Sequence, residues 1–131
     1  MNWYKKSQIQ IATHVTDERS FKKILSTGKF IPSSSGWNGS GLYAHLGKLD
    51  NGIGKEGKGK NVIYFDISHL KLNDQDMPPE LDQKEWDNLR TKDNRFIDKK
   101  LLSLGYDGIV IYDRNYIRIF PESCYKLKPF I

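Results

Sequence analysis

The sequence predicts an α+β fold, with a split antiparallel sheet at the core and helices on its flanks. Three observations predict it. Apolar and polar residues alternate with a period of two near the start of the chain and again near its end. Stretches with helical spacing lie between these runs. Gly and Pro punctuate the changes of period. At 131 residues the chain is long enough to bury one core, and it shows neither an internal repeat nor a linker, so residues 1–131 read as a single domain.

The elements follow in order. Ile9, Ile11, Thr13 and Val15 alternate with Gln8, Gln10, Ala12 and His14, which predicts a strand. Thr16 or Asp17 then caps a helix that carries Phe21, Ile24 and Leu25 on one face, and Gly28 ends it as a left-handed residue. Ile31 to Gly41 is a Ser/Gly-rich loop holding Trp37, with Tyr43 on a short strand or turn beyond it. Val62 to Ile67 reads as a strand. After the break at Pro78-Pro79, Pro79 opens a helix with Leu81, Trp86 and Leu89. A further helix carries Phe96, Ile97, Leu101 and Leu102 and stops at Gly105. Ile109 to Tyr112 and Tyr116 to Phe120 form two strands joined by a hairpin turn at Asp113-Arg114-Asn115.

Composition narrows the function classes. The balance of 21 Lys and Arg against 16 Asp and Glu gives a net charge of +5, which favours polyanionic partners, whether the pyrophosphate of a dinucleotide or a nucleic acid. The densest basic cluster, Lys55, Lys58 and Lys60, sits among Gly52, Gly54, Gly57 and Gly59. It lacks P-loop spacing, so a nucleoside triphosphate site is not expected, and the loop is expected to touch a macromolecular partner instead. The one cysteine, Cys124, forms no intrachain disulfide and reads as a small buried residue. The basic start has no apolar segment behind it and no run reaches the roughly 18 apolar residues of a membrane span, so a cytoplasmic protein without membrane association is expected. No Cys/His cluster has metal-ligand spacing, so no metal is expected, and the Gly-x-Ser-x-Gly elbow of serine hydrolases is absent. Asp66 and His69 read as surface polar residues at a strand end, and Asp107 as a turn residue.

Three patches carry the chemistry: Ile11-Ala12-Thr13-His14-Val15-Thr16-Asp17, Gly39-Ser40-Gly41-Leu42-Tyr43-Ala44, and Gly105-Tyr106-Asp107-Gly108-Ile109-Val110 running into Tyr116-Ile117-Arg118-Ile119-Phe120. In this order they resemble the mono-ADP-ribosyltransferase fold, in the branch that presents His, Tyr and Glu from three strands. The resemblance implies NAD as substrate and ADP-ribosyl transfer to a protein or nucleic-acid acceptor, and small members of such families act as toxins or phage-borne effectors. It implies that His14 bonds a ribose hydroxyl, that Thr16 and Gly41 border the dinucleotide, and that Tyr43 stacks on the nicotinamide ring. In the third patch the Glu position falls on Asn115 or on Tyr116, depending on which residues are matched, and neither is a carboxylate. Asn115 is the candidate catalytic residue, with Asp113 and Glu122 as the nearest carboxylates. Asn bonds a hydroxyl but does not offset positive charge in an oxocarbenium-like transition state. A catalytically inactive binding module on the same fold is therefore the alternative, and a basic RNA-binding protein the third reading.

Overall fold

The computed structural model describes residues 11–33, 39–47, 61–74, 77–111 and 115–130. Trp37, Asp113, residues 8–10 and the Gly52–Lys60 loop with Lys55, Lys58 and Lys60 lie outside the described residues.

The chain is α+β. The first strand, β1 (Ile11–Thr16), leads into helix α1 (Glu18–Thr27). Asp17 is the cap, its carboxylate accepting from the Ser20 amide at 2.7 Å, and Gly28 closes the helix at φ 71°. Then come β2 (Leu42–Leu46), β3 (Asn61–Asp66) and a two-residue strand, β4 (Leu72–Asn73). Helix α2 (Gln83–Arg90) starts four residues later than Pro79, which lies in a turn. The reason is Asp82, whose side chain caps the Glu85 amide at 2.8 Å and so fixes the first turn there. Helix α3 (Asn94–Ser103) is capped in the same way by Asp93, and the chain turns at Gly105 with φ 89°. The hairpin strands β5 (Gly108–Ile111) and β6 (Tyr116–Ile119) follow, then a 3₁₀ helix over Pro121–Lys126 and a last short strand, β7 (Pro129–Phe130).

The described strands join into one seven-stranded sheet in the order β4-β5-β6-β2-β1-β3-β7. The sheet is mixed and continuous, where a split and wholly antiparallel one was expected. Two pairings explain the difference. The β5–β6 hairpin bonds directly to β2, and β2 bonds to β1, so the ladder has no break at its centre. Strand β4 runs parallel to β5, and the chain between them, with α2 and α3, is the long crossover that a parallel pair needs.

Register sorts the side chains. Residues directly opposite share a face. Ala12, Leu42, Ala44, Leu46, Ile63, Phe65, Ile117 and Ile119 fall on one face and are buried with Ile24 of α1, Phe30, Cys124 and Leu127. On α1 only part of the expected stripe is covered: Ile24 is buried, Phe21 half-buried, and Leu25 exposed. Burying a side chain such as Ile24 contributes roughly 1.5–3 kcal/mol. On the opposite face α3 covers the β5–β6 end, where Leu101 and Ile97 pack with Phe120, Tyr106 and Ile109. No helix among the described residues is long and apolar enough to cross a membrane.

Candidate functional site

The three sequence-distant patches meet at the centre of the sheet, because β6, β2 and β1 are consecutive strands. His14 lies on the core face, opposite Ile63, with its ring edge-on to Phe30 at 5.7 Å between centroids. Its Nδ1 is 2.9 Å from the Tyr43 carbonyl oxygen. A carbonyl only accepts, so in the neutral ring the proton sits on Nδ1 and leaves Nε2 as an acceptor. Burial holds the His14 pKa below the ordinary value. The bond to Tyr43 works against that shift, and the nearby His45 adds to it.

The ring of Tyr43 points the other way. Tyr43 pairs with Arg118, and Thr13, not His14, pairs with His45, so Tyr43 and His14 present side chains to opposite faces. The structure therefore joins His14 to the backbone of Tyr43 and does not place both rings in one cleft. The phenol of Tyr43 donates to the Gly39 carbonyl at 2.6 Å. Gly41, buried at φ 144°, is held by a two-way bridge with Ser33. A side chain on Gly41 would run into the Ile119 carbonyl, which is why the backbone comes so close to β6 only as glycine. Thr16 ends β1 opposite Asn61, half-buried, and its neighbour Asp17 does the capping.

Asn115 stands at the head of β6, exposed, at φ 57°. Its carbonyl accepts from the Leu46 amide at 3.0 Å. Asn tolerates this left-handed conformation better than Glu does, so the turn itself accounts for the residue. Tyr116 pairs with His45, and their rings stand 4.3 Å apart.

The sequence reading missed the most polar buried feature of this face. Arg118 on β6 is 2% exposed and forms a two-pronged ion pair with Asp98 of α3, at 2.8 and 2.9 Å. Its Nη1 also donates to the Ser40 carbonyl at 2.9 Å, and its guanidinium lies 5.3 Å from the Phe120 ring centroid. A signal was present in the text: Arg118 interrupts the apolar run Ile117 to Phe120, and Asp98 stands between Ile97 and Leu101 on the inward side of a helix.

A second polar cluster sits at the corner before β5. Asp107, expected as a turn residue, is buried and saturated. One carboxylate oxygen accepts from Ser123 Oγ at 2.9 Å and Lys126 Nζ at 2.6 Å, the other from the Lys71 amide at 2.9 Å. Burial alone would raise its pKa, but the bonds from Lys126, Lys71 and Ser123 together outweigh it and hold the carboxyl below its ordinary range. Beside it Tyr106 donates to Glu80 at 2.7 Å, and Lys71 bonds the other Glu80 oxygen at 3.0 Å. A shallow cavity of about 210 Å³ opens here between Tyr106, Tyr125 and Lys126. Tyr43 is not among its lining residues, and the Asp107 carboxylate beside it is engaged by Lys126 and the Lys71 amide as well as by Ser123, which makes it a structural acceptor.

Glu122 is exposed on the 3₁₀ helix. Asp66 caps the following turn through Ser68, and the exposed His69 meets the Lys126 carbonyl at 3.0 Å. Cys124 is buried, and burial pushes its thiol up to about 11. Among the described residues no group of three His, Cys, Asp or Glu side chains is placed to hold a metal ion. Comparison with protein-family models, with curated proteins and with solved structures gives no match.

Proposed function

We propose that this chain is an ADP-ribosyltransferase-like module that binds NAD, or a nucleotide closely related to it, at the centre of its sheet, and that binding is its dominant activity. The observation that carries the reading is the adjacency of β6, β2 and β1, which gathers three patches spread over the whole sequence. Tyr43 supplies an aromatic plane for a nicotinamide or base, and Gly41 lets the segment before it pack closely on β6. His14 lies on the opposite face and supports this position through the bond from its Nδ1 to the Tyr43 carbonyl. Thr16 borders the same strand end.

Binding is favoured over glycosyl transfer because, among the described residues, the two candidates for the Glu position, Asn115 and Tyr116, carry no carboxylate and the carboxylate on the Tyr43 face, Asp98, is paired with Arg118. Transfer to a protein or nucleic-acid acceptor is the second reading, and it needs a carboxylate from outside the described residues, of which Asp113 is the candidate.

Calorimetric titration with millimolar NAD tests the proposal. Wild type should bind, and Tyr43→Ala should weaken binding about tenfold through loss of stacking and buried surface. Nicotinamide release under the same conditions should be slow. Absence of binding by folded wild-type protein refutes the NAD reading, and brisk nicotinamide release refutes the binding-module form of it.

A further inference from the structure

The buried Arg118–Asp98 pair is poorly explained by stability alone. Removing a guanidinium and a carboxylate from water costs several kcal/mol each, and an apolar pair of similar volume is often as stable. Ile117 and Ile119 show that β6 accepts apolar residues on its other face at full burial. What an apolar residue at 118 does not do is bond a backbone carbonyl 78 positions earlier in the chain.

Follow the bonds outward from α3. Asp98 holds the guanidinium fork at both ends, which fixes its plane. That plane donates to the Ser40 carbonyl. The backbone on either side of Ser40 lies against the same side chain: a methyl on Gly39 would stand 3.2 Å from Arg118 Cζ, and one on Gly41 3.0 Å from Arg118 Cγ. Gly39 in turn accepts the Tyr43 phenol, and Tyr43 is the residue directly opposite Arg118 on β2. The carbonyls of Gly39 and Ser40 and both backbone groups of Gly41 thus have partners, in Tyr43, Arg118 and Ser33. A continuous set of contacts runs from helix α3 to the aromatic plane.

We propose that Arg118 and Asp98 are positioning residues for the candidate ligand site: they hold Gly39–Gly41 and, through Gly39, the Tyr43 phenol in the geometry that receives a planar nitrogen heterocycle such as nicotinamide. The ligand half of this inference rests on the reading of Tyr43 given above; the positioning half rests on the bonds alone. Pre-organisation of this kind raises affinity by removing the ordering cost that a loose loop incurs when ligand binds.

Two variants test it. Asp98→Asn keeps size and removes the charge that orients the fork. Arg118→Lys keeps the charge and loses the planar fork with its second donor direction. Each is measured at a temperature where its melting curve shows it folded. Amide hydrogen exchange at Gly41 should accelerate about tenfold or more relative to Ile63 on β3, and the NAD dissociation constant should rise by about tenfold. Asp98→Glu should recover part of both effects. If melting falls while Gly41 exchange, relative to Ile63, and NAD affinity stay as in wild type, the pair is merely structural and the proposal is overturned. If Arg118→Lys does not fold, Asp98→Asn decides alone. If wild type binds no NAD, the stacking reading fails, while the exchange at Gly41 still decides whether the pair positions this segment.

Discussion

Replacing Asp107 with Ala should be among the most costly single changes in this chain, and the size of the loss follows from its partners. The Ser123 hydroxyl is buried and loses its acceptor, and the Lys71 amide loses one as well. Each orphaned group costs about 1–3 kcal/mol. Lys126 is different: its side chain is 36% exposed, so its ammonium turns to water and the lost pair costs only about 0.5–1 kcal/mol. With the amide of the exposed Lys71 at the low end of that range, the total is about 2.5–5 kcal/mol. For a domain of this size that is a fall of roughly 10–20 °C in melting temperature. Urea and thermal unfolding of wild type, Asp107→Ala and Ser123→Ala measure it, with Ser123→Ala expected near 1 kcal/mol. The acid limb supplies a second check. The folded carboxyl is held below its ordinary value of 3.8, so its contribution is complete above that value and is lost as pH falls through it toward the folded pKa. The gap between wild type and Asp107→Ala should close in that window. A loss under about 1.5 kcal/mol at neutral pH refutes the reasoning. It would mean that the backbone bonds from Asp107 to Lys71 and from Phe120 to Asp107, which Ala retains, hold the corner unaided.

Two further outcomes follow from single residues. Burial depresses the His14 pKa below 6.5, so its share of stability is complete above pH 6.5 and declines as pH falls through that value toward the folded pKa; NMR titration should give a midpoint below 6.5, and His14→Leu should flatten that part of the stability profile, whereas a midpoint above 6.5 contradicts the buried placement. Gly41→Ala should destabilise by about 2–4 kcal/mol because its methyl meets the Ile119 carbonyl, while Gly47→Ala, at φ 85° with open space around it, should cost only about 1 kcal/mol; equal losses in chemical denaturation would show that left-handed strain, and not the close approach to β6, governs both sites.

Local signals in the sequence located most elements, and long-range ones were lost. Gly28 and Gly105 mark the ends of α1 and α3 because both take positive φ, the period-two runs mark β1 and β6, and the apolar stretch from Val62 marks β3. Asp82 shows how a start is misread: Pro79 is compatible with a first helical turn, but the side chain that satisfies the orphan amides stands later. Strands β4 and β7 are two residues each and carry no periodicity of their own; β5 and β3 create them by offering a ladder. The candidate residues His14, Gly41 and Tyr43 were visible as types in order, but the faces they present were not. A side chain's face depends on register, and register is set here by pairings over 32 residues and more, such as Thr13 with His45 and Tyr43 with Arg118. The pairing of Asp98 with Arg118 was missed for the same reason: each interrupts an apolar pattern, but the two meet only when the crossover brings α3 onto β6.

The third strand shows two demands meeting at one residue. Asn115 closes the β5–β6 turn at φ 57°, and its carbonyl completes the ladder to Leu46 at the end of β2. A Glu in that backbone conformation is strained by about 1 kcal/mol, where Asn is accommodated. If a carboxylate were selected at this position for glycosyl transfer, the turn would have to be built differently, with an additional residue or a glycine to carry the positive φ. Asp98, a carboxylate that the described residues place on the Tyr43 face, is committed to a buried guanidinium and offers little net charge to an oxocarbenium-like centre. Turn chemistry at Asn115 and ion pairing at Asp98 thus act in the same direction. The first holds the Leu46 end of β2 and the second the Gly39–Gly41 end, and neither leaves a free negative charge of the kind transfer needs. On the proposed reading of Tyr43, this loss of free negative charge is the physical ground for placing binding ahead of catalysis.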